Sequence, residues 1–179
     1  GDNPIYTIGA IRNAELIKTI YCEWYSVVYY DKSVPQHIVD GLKNLDVELI
    51  NMDCSKLNPL FWRFLILDRK NCELAIFRDC DSRISHREKL AVNDWINSGA
   101  VLHVMRDHPF HEIPYGADKK AILGGMWGMR GGNINVRERV SAFIEDRAQK
   151  YGIDHSFLHI IYDEFIDSVL IQDAFFAQK

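Results

Sequence analysis

The chain has 179 residues, of which 47% are hydrophobic and 26% are charged, a composition typical of a single globular domain with a sizeable core. Its formal net charge of −4 argues against a general nucleic-acid binder, and no apolar run approaches the ~20 residues that a membrane span requires. The four cysteines are scattered without the spacing of a zinc site, so we expect reduced thiols and a cytoplasmic protein with one domain over 1–179.

The spacing of apolar residues predicts helices that alternate with strands over the first hundred residues. The opening GDNPIY is typical of a turn. The predicted elements that follow are a helix over 7–24, a strand over 25–30, a helix over 33–45, a strand over 47–52, a helix over 58–67, a strand over 73–77, a helix over 85–99 and a strand over 100–105.

The helix over 85–99 has the clearest boundaries, with Ser85 and Glu88 in a capping box and Gly99 as the stop. Beyond it the alternation ends, and residues 106–133 read as one long irregular stretch rich in glycine. Helices resume over 136–152 and 155–165. This order predicts an α/β fold with a mixed, mostly parallel sheet flanked by helices.

Two aspartates one residue apart, Asp79 and Asp81, follow the apolar stretch ELAIF. Ligands of open α/β sheets bind beyond the carboxyl ends of the strands, which is where these carboxylates fall. A divalent cation such as Mn²⁺ or Mg²⁺ would remove the repulsion between them. The alternative is a turn in which one aspartate caps a helix and pairs with an arginine.

Arg78 and Arg83 flank the two aspartates, and guanidinium groups pair well with phosphate oxygens. They could instead neutralise the carboxylates. Downstream, ILGGMWGMRGG has the glycines that let a main chain approach a ligand, or that form tight turns. Its Trp127 could stack on a sugar or a base, or belong to the core.

The segment RDHPFHE follows the fourth strand and contains Asp107 and His108. Such residues could supply a general base or metal ligands, or simply form hydrogen bonds in a loop. The motifs FRDCDSR, RDHPFH and GGMWGMRGG, in this order and with SVP and FWRF before them, resemble the small DXD-containing glycosyltransferases of the GT-A fold. The likeness is greatest to those of large DNA viruses of algae and of some bacteria, and it covers nearly the full chain.

The resemblance implies a single-domain, Rossmann-like GT-A fold. It also implies a metal-dependent transfer of a hexosyl or deoxyhexosyl group from a nucleotide-diphosphate sugar to a glycan acceptor. The simplest donor would be a UDP-sugar. The net charge and the lack of a long apolar run predict no nucleic-acid partner and no integral membrane segment. Asp107 is the candidate base of an inverting enzyme, and Asp154, in YGIDHSFL, would lie near the donor sugar as a second catalytic residue. The donor-binding set is Tyr6, Arg12, Arg78, Asp79, Asp81, Arg83, Gly124 and Gly125. His108 and Trp127 would lie on the acceptor side.

Three departures from the family pattern affect the expected site. Family members open with a strand that leads into the nucleotide pocket, and we expect that strand to be absent here. His155 stands where the family has glutamine, and Gln172 stands where it has a histidine that completes the metal shell. Asp173 is then the candidate third metal ligand beside Asp79 and Asp81.

Two other functions fit the same residues. In a phosphohydrolase, Asp79 would be the nucleophile and Asp81 a general acid, although no paired aspartates follow downstream to hold Mg²⁺. In a non-catalytic sugar-nucleotide-binding module, the departures at His155 and Gln172 would mark a degenerate transferase.

Overall fold

The computed structural model of the protein describes residues 1–106, 122–145 and 152–173, with the main chain only at Asp173. They form an α/β protein with mixed sheets flanked by helices. The chain divides into two compact units, Gly1–Leu57 with Asp79–Leu90, and Asn58–Arg78 with Ala91–Lys179. In the part of the chain described, no helix is long and apolar enough to cross a membrane.

The first unit is built from two helices and a two-stranded parallel sheet: α1 (Pro4–Ile20), β1 (Val27–Tyr30), α2 (Gln36–Asn44) and β2 (Glu48–Asn51). Its core joins Ala14 of α1 to Ile38 and Leu42 of α2, with Val47 just before β2. All four side chains are buried, as expected of helices whose apolar faces pack on the same small sheet.

Helix α1 begins three residues earlier than predicted, and the opening segment is the start of this helix and not a turn. The Asn3 side chain accepts a hydrogen bond from the Ile5 amide at 3.0 Å, and Pro4 occupies the first helical position. An N-cap asparagine followed by proline is a favourable helix start, because proline has no amide hydrogen to leave unpaired there.

The second unit is built around a four-stranded sheet. Its elements are a 3₁₀ helix (Pro59–Asp68), β3 (Leu74–Arg78), the C-terminal part of α3 (His86–Ser98), β4 (Leu102–Arg106), β5 (Met126–Arg130), α4 (Val136–Ile144), α5 (Ile153–Glu164), a short 3₁₀ turn (Ile166–Ser168) and β6 (Val169–Asp173). The strand order is β3-β5-β4-β6. Strand β5 is antiparallel to both neighbours, and β6 is parallel to β4. The described strand pairs are therefore half parallel and half antiparallel, not mostly parallel.

Two strands lie where none was predicted. β5 falls in the stretch predicted to be irregular, and its centre is Gly128, a poor strand former. A β-carbon at Gly128 would lie 2.9 Å from the Ala75 carbonyl oxygen and 3.1 Å from a Trp95 ring carbon. The close packing of β5 requires the glycine that made its sequence look irregular. β6 was missed because its apolar run is only three residues long.

Helix α3 has the boundaries that the sequence predicts. The Glu88 amide donates to the Ser85 hydroxyl at 3.3 Å, and Gly99 ends the helix with a positive φ of 74°. The predicted helix over 58–67 is present, but as a 3₁₀ helix, with Asn58 accepting from the Leu60 amide at 3.0 Å. Both helix starts could be predicted because each N-cap side chain bonds an amide within three residues of it.

Candidate functional site

The aspartate pair lies in the first unit, in the loop that follows β3. Asp79 is half-buried and Asp81 is exposed. The Asp79 carbonyl oxygen accepts hydrogen bonds from the Ser82 amide at 3.3 Å and the Ser82 hydroxyl at 3.2 Å. These bonds close a turn around Asp81, which has no ion-pair or hydrogen-bond partner among the described residues of this unit. We call residues 79–83 the aspartate loop.

Arg83 binds the main chain of the aspartate loop. Its Nη1 donates to the Cys80 carbonyl at 2.9 Å and to the Ser82 carbonyl at 3.2 Å. In the second unit, Arg78 Nη1 likewise donates to the Phe77 carbonyl at 2.6 Å and to the Trp127 carbonyl at 3.4 Å. These bonds of Arg83 are to main-chain carbonyl groups, and they do not support the alternative in which Arg83 neutralises a carboxylate.

Two residues of α1 that sequence reasoning missed also contact the aspartate loop. Asn13 is buried, and its Nδ2 donates to the Ser82 carbonyl at 2.8 Å and to the Asp79 carbonyl at 3.4 Å. Gly9 lies so close that a β-carbon there would be 2.0 Å from the Cys80 carbonyl oxygen. No local pattern marks these residues, because their partners are about seventy positions away in the sequence.

Tyr6 and Arg12, the other donor-binding candidates on α1, are both exposed. Arg12 forms an ion pair with Glu15 at 2.9 Å, three residues further along the same helix. A pair of this kind at the surface is worth well under about 1 kcal/mol, so Arg12 could exchange Glu15 for another anion at little cost.

The aspartate loop would suit a hard divalent cation, since it carries two aspartates that are one residue apart in the sequence. In the described part of the chain, no three His, Cys, Asp or Glu side chains are close enough to hold a metal. A metal bound at this loop would take two protein oxygens from Asp79 and Asp81 and others from water or a ligand. Asp173, the candidate third ligand, is the last residue of β6, and its side chain is outside the described atoms.

A second polar cluster lies inside the second unit and contains Arg63, Gly124 and Asp154. Asp154 is in the first turn of α5 and only 3% exposed. Arg63 Nη2 lies 3.5 Å from its Oδ2. A β-carbon at Gly124 would meet Arg63 Nη2 at 2.7 Å and Asp154 Oδ2 at 3.1 Å. The structure therefore brings the predicted residues Gly124 and Asp154 together through Arg63.

Arg63 was not predicted as a site residue. The available signal was its position as the only charged residue in the apolar run NPLFWRFLIL. A lone arginine in such a run must either reach the surface or find a buried anion. Gly125, next to Gly124, is buried, and its role in donor binding stays a prediction.

Trp127 is a core residue, which corrects its placement on the acceptor side. It is 1% exposed and stacks on Phe77 with ring centroids 4.2 Å apart. Phe64 packs edge-on against the same ring at 5.2 Å. A sugar could not reach a ring that is covered in this way, so the core alternative is the correct one.

Gln172 is engaged in a hydrogen-bonded chain on the sheet. Its Oε1 lies 2.8 Å from His103 Nε2, and its Nε2 donates to Asp94 Oδ2 at 3.3 Å. Because Asp94 can only accept, Gln172 presents its oxygen to the histidine, so His103 carries its proton on Nε2. Both polar ends of the Gln172 amide are therefore bonded to neighbouring side chains.

His103 is fully buried and stacks on Trp95, with ring centroids 5.4 Å apart. Burial lowers the pKa of His103 to about 4, a shift that the Gln172 hydrogen bond partly opposes. The imidazole is therefore neutral at physiological pH. The candidate base Asp107 and its neighbour His108 lie outside the described residues.

The fold and these clusters define an α/β protein with two polar sites, one at the aspartate loop and one around Asp154. No protein-family model matches the chain, and no curated protein matches it. An α/β architecture supports many unrelated chemistries, so a function has to come from the site residues.

Proposed function

We propose that the protein is a metal-dependent glycosyltransferase of the GT-A type, which moves a hexosyl or deoxyhexosyl group from a nucleotide-diphosphate sugar, such as a UDP-sugar, to a glycan acceptor. The observation that carries this proposal is the aspartate loop. Its main chain is bound at three carbonyl groups, and its Asp81 carboxylate is exposed and without a partner in its own unit.

Asp79 and Asp81 would hold Mn²⁺ or Mg²⁺ together with the donor diphosphate. When bound, the ion would supply Lewis-acid stabilisation of the negative charge that develops on the leaving diphosphate. Arg83, the last residue of the loop, would add positive charge near the same phosphates. The GT-A assignment itself rests on the order of the motifs FRDCDSR, RDHPFH and GGMWGMRGG.

The cluster around Asp154 supports a sugar as the group that is transferred. Arg63 and Asp154 have opposite charges, so the pair attracts a phosphate less than an arginine alone would. A guanidinium beside a carboxylate instead offers a donor and an acceptor, which suits the hydroxyl groups of a sugar. Arg63, whose side chain is 29% exposed, is the member of the cluster that a sugar hydroxyl would reach.

The transfer breaks the bond between the anomeric carbon and the diphosphate oxygen and forms a bond from that carbon to an acceptor oxygen. The diphosphate leaves with the bonding electrons, through an oxocarbenium-like state. In an inverting enzyme, Asp107 would take the acceptor proton. A retaining enzyme would not need this base.

The test is to incubate the protein with a panel of nucleotide sugars and Mn²⁺, and to measure nucleoside diphosphate and inorganic phosphate separately. We expect Mn²⁺-dependent release of nucleoside diphosphate, lost in Asp81→Asn. Release of inorganic phosphate instead would favour a phosphohydrolase. Binding of nucleotide sugar without release of either product would favour a non-catalytic module.

A further inference from the structure

The aspartate loop is held against one face of α1. Gly9 and Asn13 are four residues apart, so they lie on the same side of the helix. Both contact the loop, while Ala14 packs into the core of the unit on a different side of the helix. Helix α1 therefore has one face for the core and another for the loop.

The contacts fix the main chain on both sides of Asp81. The carbonyl before it, at Cys80, lies against Gly9 and accepts from Arg83. The peptide group after it is held through the Ser82 amide, which donates to the Asp79 carbonyl at 3.3 Å. The next carbonyl, at Ser82, accepts from Asn13 and Arg83. With both flanking peptide groups held, the direction in which the Asp81 side chain leaves the main chain is set.

Gly9 permits this arrangement because it has no side chain. A β-carbon would lie 2.0 Å from the Cys80 carbonyl oxygen and 2.9 Å from its carbonyl carbon. Both atoms belong to the main chain, so they could move only if the loop moved. The loop can lie this close to α1 only while residue 9 is glycine.

Asn13 contributes to the loop at a cost to the fold. Its Oδ1 is buried and has no hydrogen-bond partner among the described residues. Leaving a buried acceptor unpaired typically costs about 1–3 kcal/mol, which the two hydrogen bonds from Nδ2 to the loop offset in part. The amide end of the side chain, by contrast, serves two loop carbonyls.

We propose that Gly9 and Asn13 are positioning residues for metal binding, because they hold the aspartate loop so that Asp79 and Asp81 are presented to the ion and the donor diphosphate. This inference rests on the proposed function, since it supposes that the loop binds a metal. Neither residue touches the ion. Groups that orient metal ligands in this indirect way typically contribute about 10–100-fold to metal affinity.

The test compares three variants in the full chain. Asn13→Leu removes the two hydrogen bonds and the unpaired oxygen and keeps the number and branching of the side-chain heavy atoms. Gly9→Ala pushes the loop away. Gly41→Ala is the matched control, since a β-carbon there would meet only the mobile end of the Ile11 side chain, at 2.9 Å. Mn²⁺ binding is measured from the loss of the free-ion electron paramagnetic resonance signal, with and without uridine diphosphate, and thermal unfolding is recorded in parallel.

We expect Asn13→Leu and Gly9→Ala to weaken Mn²⁺ binding about 10–100-fold and Gly41→Ala to leave it unchanged. A folded Asn13→Leu protein that binds Mn²⁺ like the wild type overturns the inference while the proposed function stands. A wild type that binds no Mn²⁺, even with uridine diphosphate, overturns both. If Gly9→Ala does not fold, Asn13→Leu decides the question, because it adds no heavy atom between the helix and the loop.

Discussion

Arg63 and Asp154 are ninety-one residues apart in the sequence, and their side chains meet at 3.5 Å beneath the main chain of Gly124. Asp154 is almost fully buried, whereas the Arg63 side chain is 29% exposed. The pair thus joins a carboxylate removed from water to a cation that solvent can still reach. We therefore expect a change in either side chain to affect the stability of the second unit.

Removing the positive partner should destabilise the second unit. In Arg63→Met the buried carboxylate keeps its charge and loses its counter-ion, and we expect a loss of about 1–3 kcal/mol in the free energy of unfolding. Denaturant titration measures this loss. Adding Asp154→Leu should restore much of the stability, and a double variant no more stable than Arg63→Met would contradict this account.

Gly124→Ala should act through the same pair. The new methyl group would come within 2.7 Å of Arg63 Nη2, the end of a flexible side chain, so the guanidinium should move and the fold should survive. We expect the Michaelis constant for the donor sugar to increase and the unfolding temperature to change little. In an Arg63→Met background, where that guanidinium is absent, the stability cost of Gly124→Ala should be smaller.

Asp81→Asn should largely abolish metal-dependent donor binding and leave the fold intact. The carboxylate is exposed and makes no bond within its own unit, so stability does not depend on it. Calorimetric titration of uridine diphosphate with Mn²⁺ measures the effect. Unchanged affinity in the variant would remove Asp81 from the site.

Asp107→Ala should lower turnover far more than donor affinity. General-base catalysis is typically worth ~10²–10⁴-fold, and its loss leaves ground-state binding mostly unchanged. Steady-state kinetics at saturating acceptor provide the measurement. Turnover near that of the wild type would show that Asp107 is not the base.

The buried His103 predicts acid sensitivity. Its pKa is about 4 in the folded protein, against ~6.5 for an exposed histidine, so the unfolded chain takes up this proton first as the pH falls. Stability should therefore decrease between about pH 6.5 and pH 4, by at most ~1.4 kcal/mol per pH unit from this group. Thermal unfolding of His103→Leu should lose that part of the pH dependence, and an unchanged profile would contradict the assignment.

Features set by local sequence were predictable. Ser85, Glu88 and Gly99 marked the ends of α3 because capping depends on neighbours within a turn of the chain. The aspartate pair was placed correctly after β3 for a similar reason: an apolar strand followed by a charged turn is a local pattern.

Features set by distant contacts were not predictable. Asn13 reads as an ordinary helical residue until the loop at 79–82 is seen to lie on it. Gly128 reads as a strand breaker until Trp95 and Ala75 are seen to fill the space above it. Trp127 lies within a glycine-rich motif, which suggested contact with a ligand. The aromatic rings that bury it come from other parts of the chain.

The position of β5 has a consequence for how the sheet of the second unit assembles. β3 and β4 are completed well before β5 is made, yet they are not neighbours, since β5 lies between them. The pairing of Leu74 with Arg130 closes a loop of more than fifty residues, whereas the pairing of Leu102 with Met129 closes one of about half that length. During synthesis on the ribosome, β3 and β4 should therefore lack their shared partner, β5, until residue 130 has emerged. We expect slow folding of this unit, and a need for chaperones at that interval, as is usual when sheet formation depends on contacts distant in sequence.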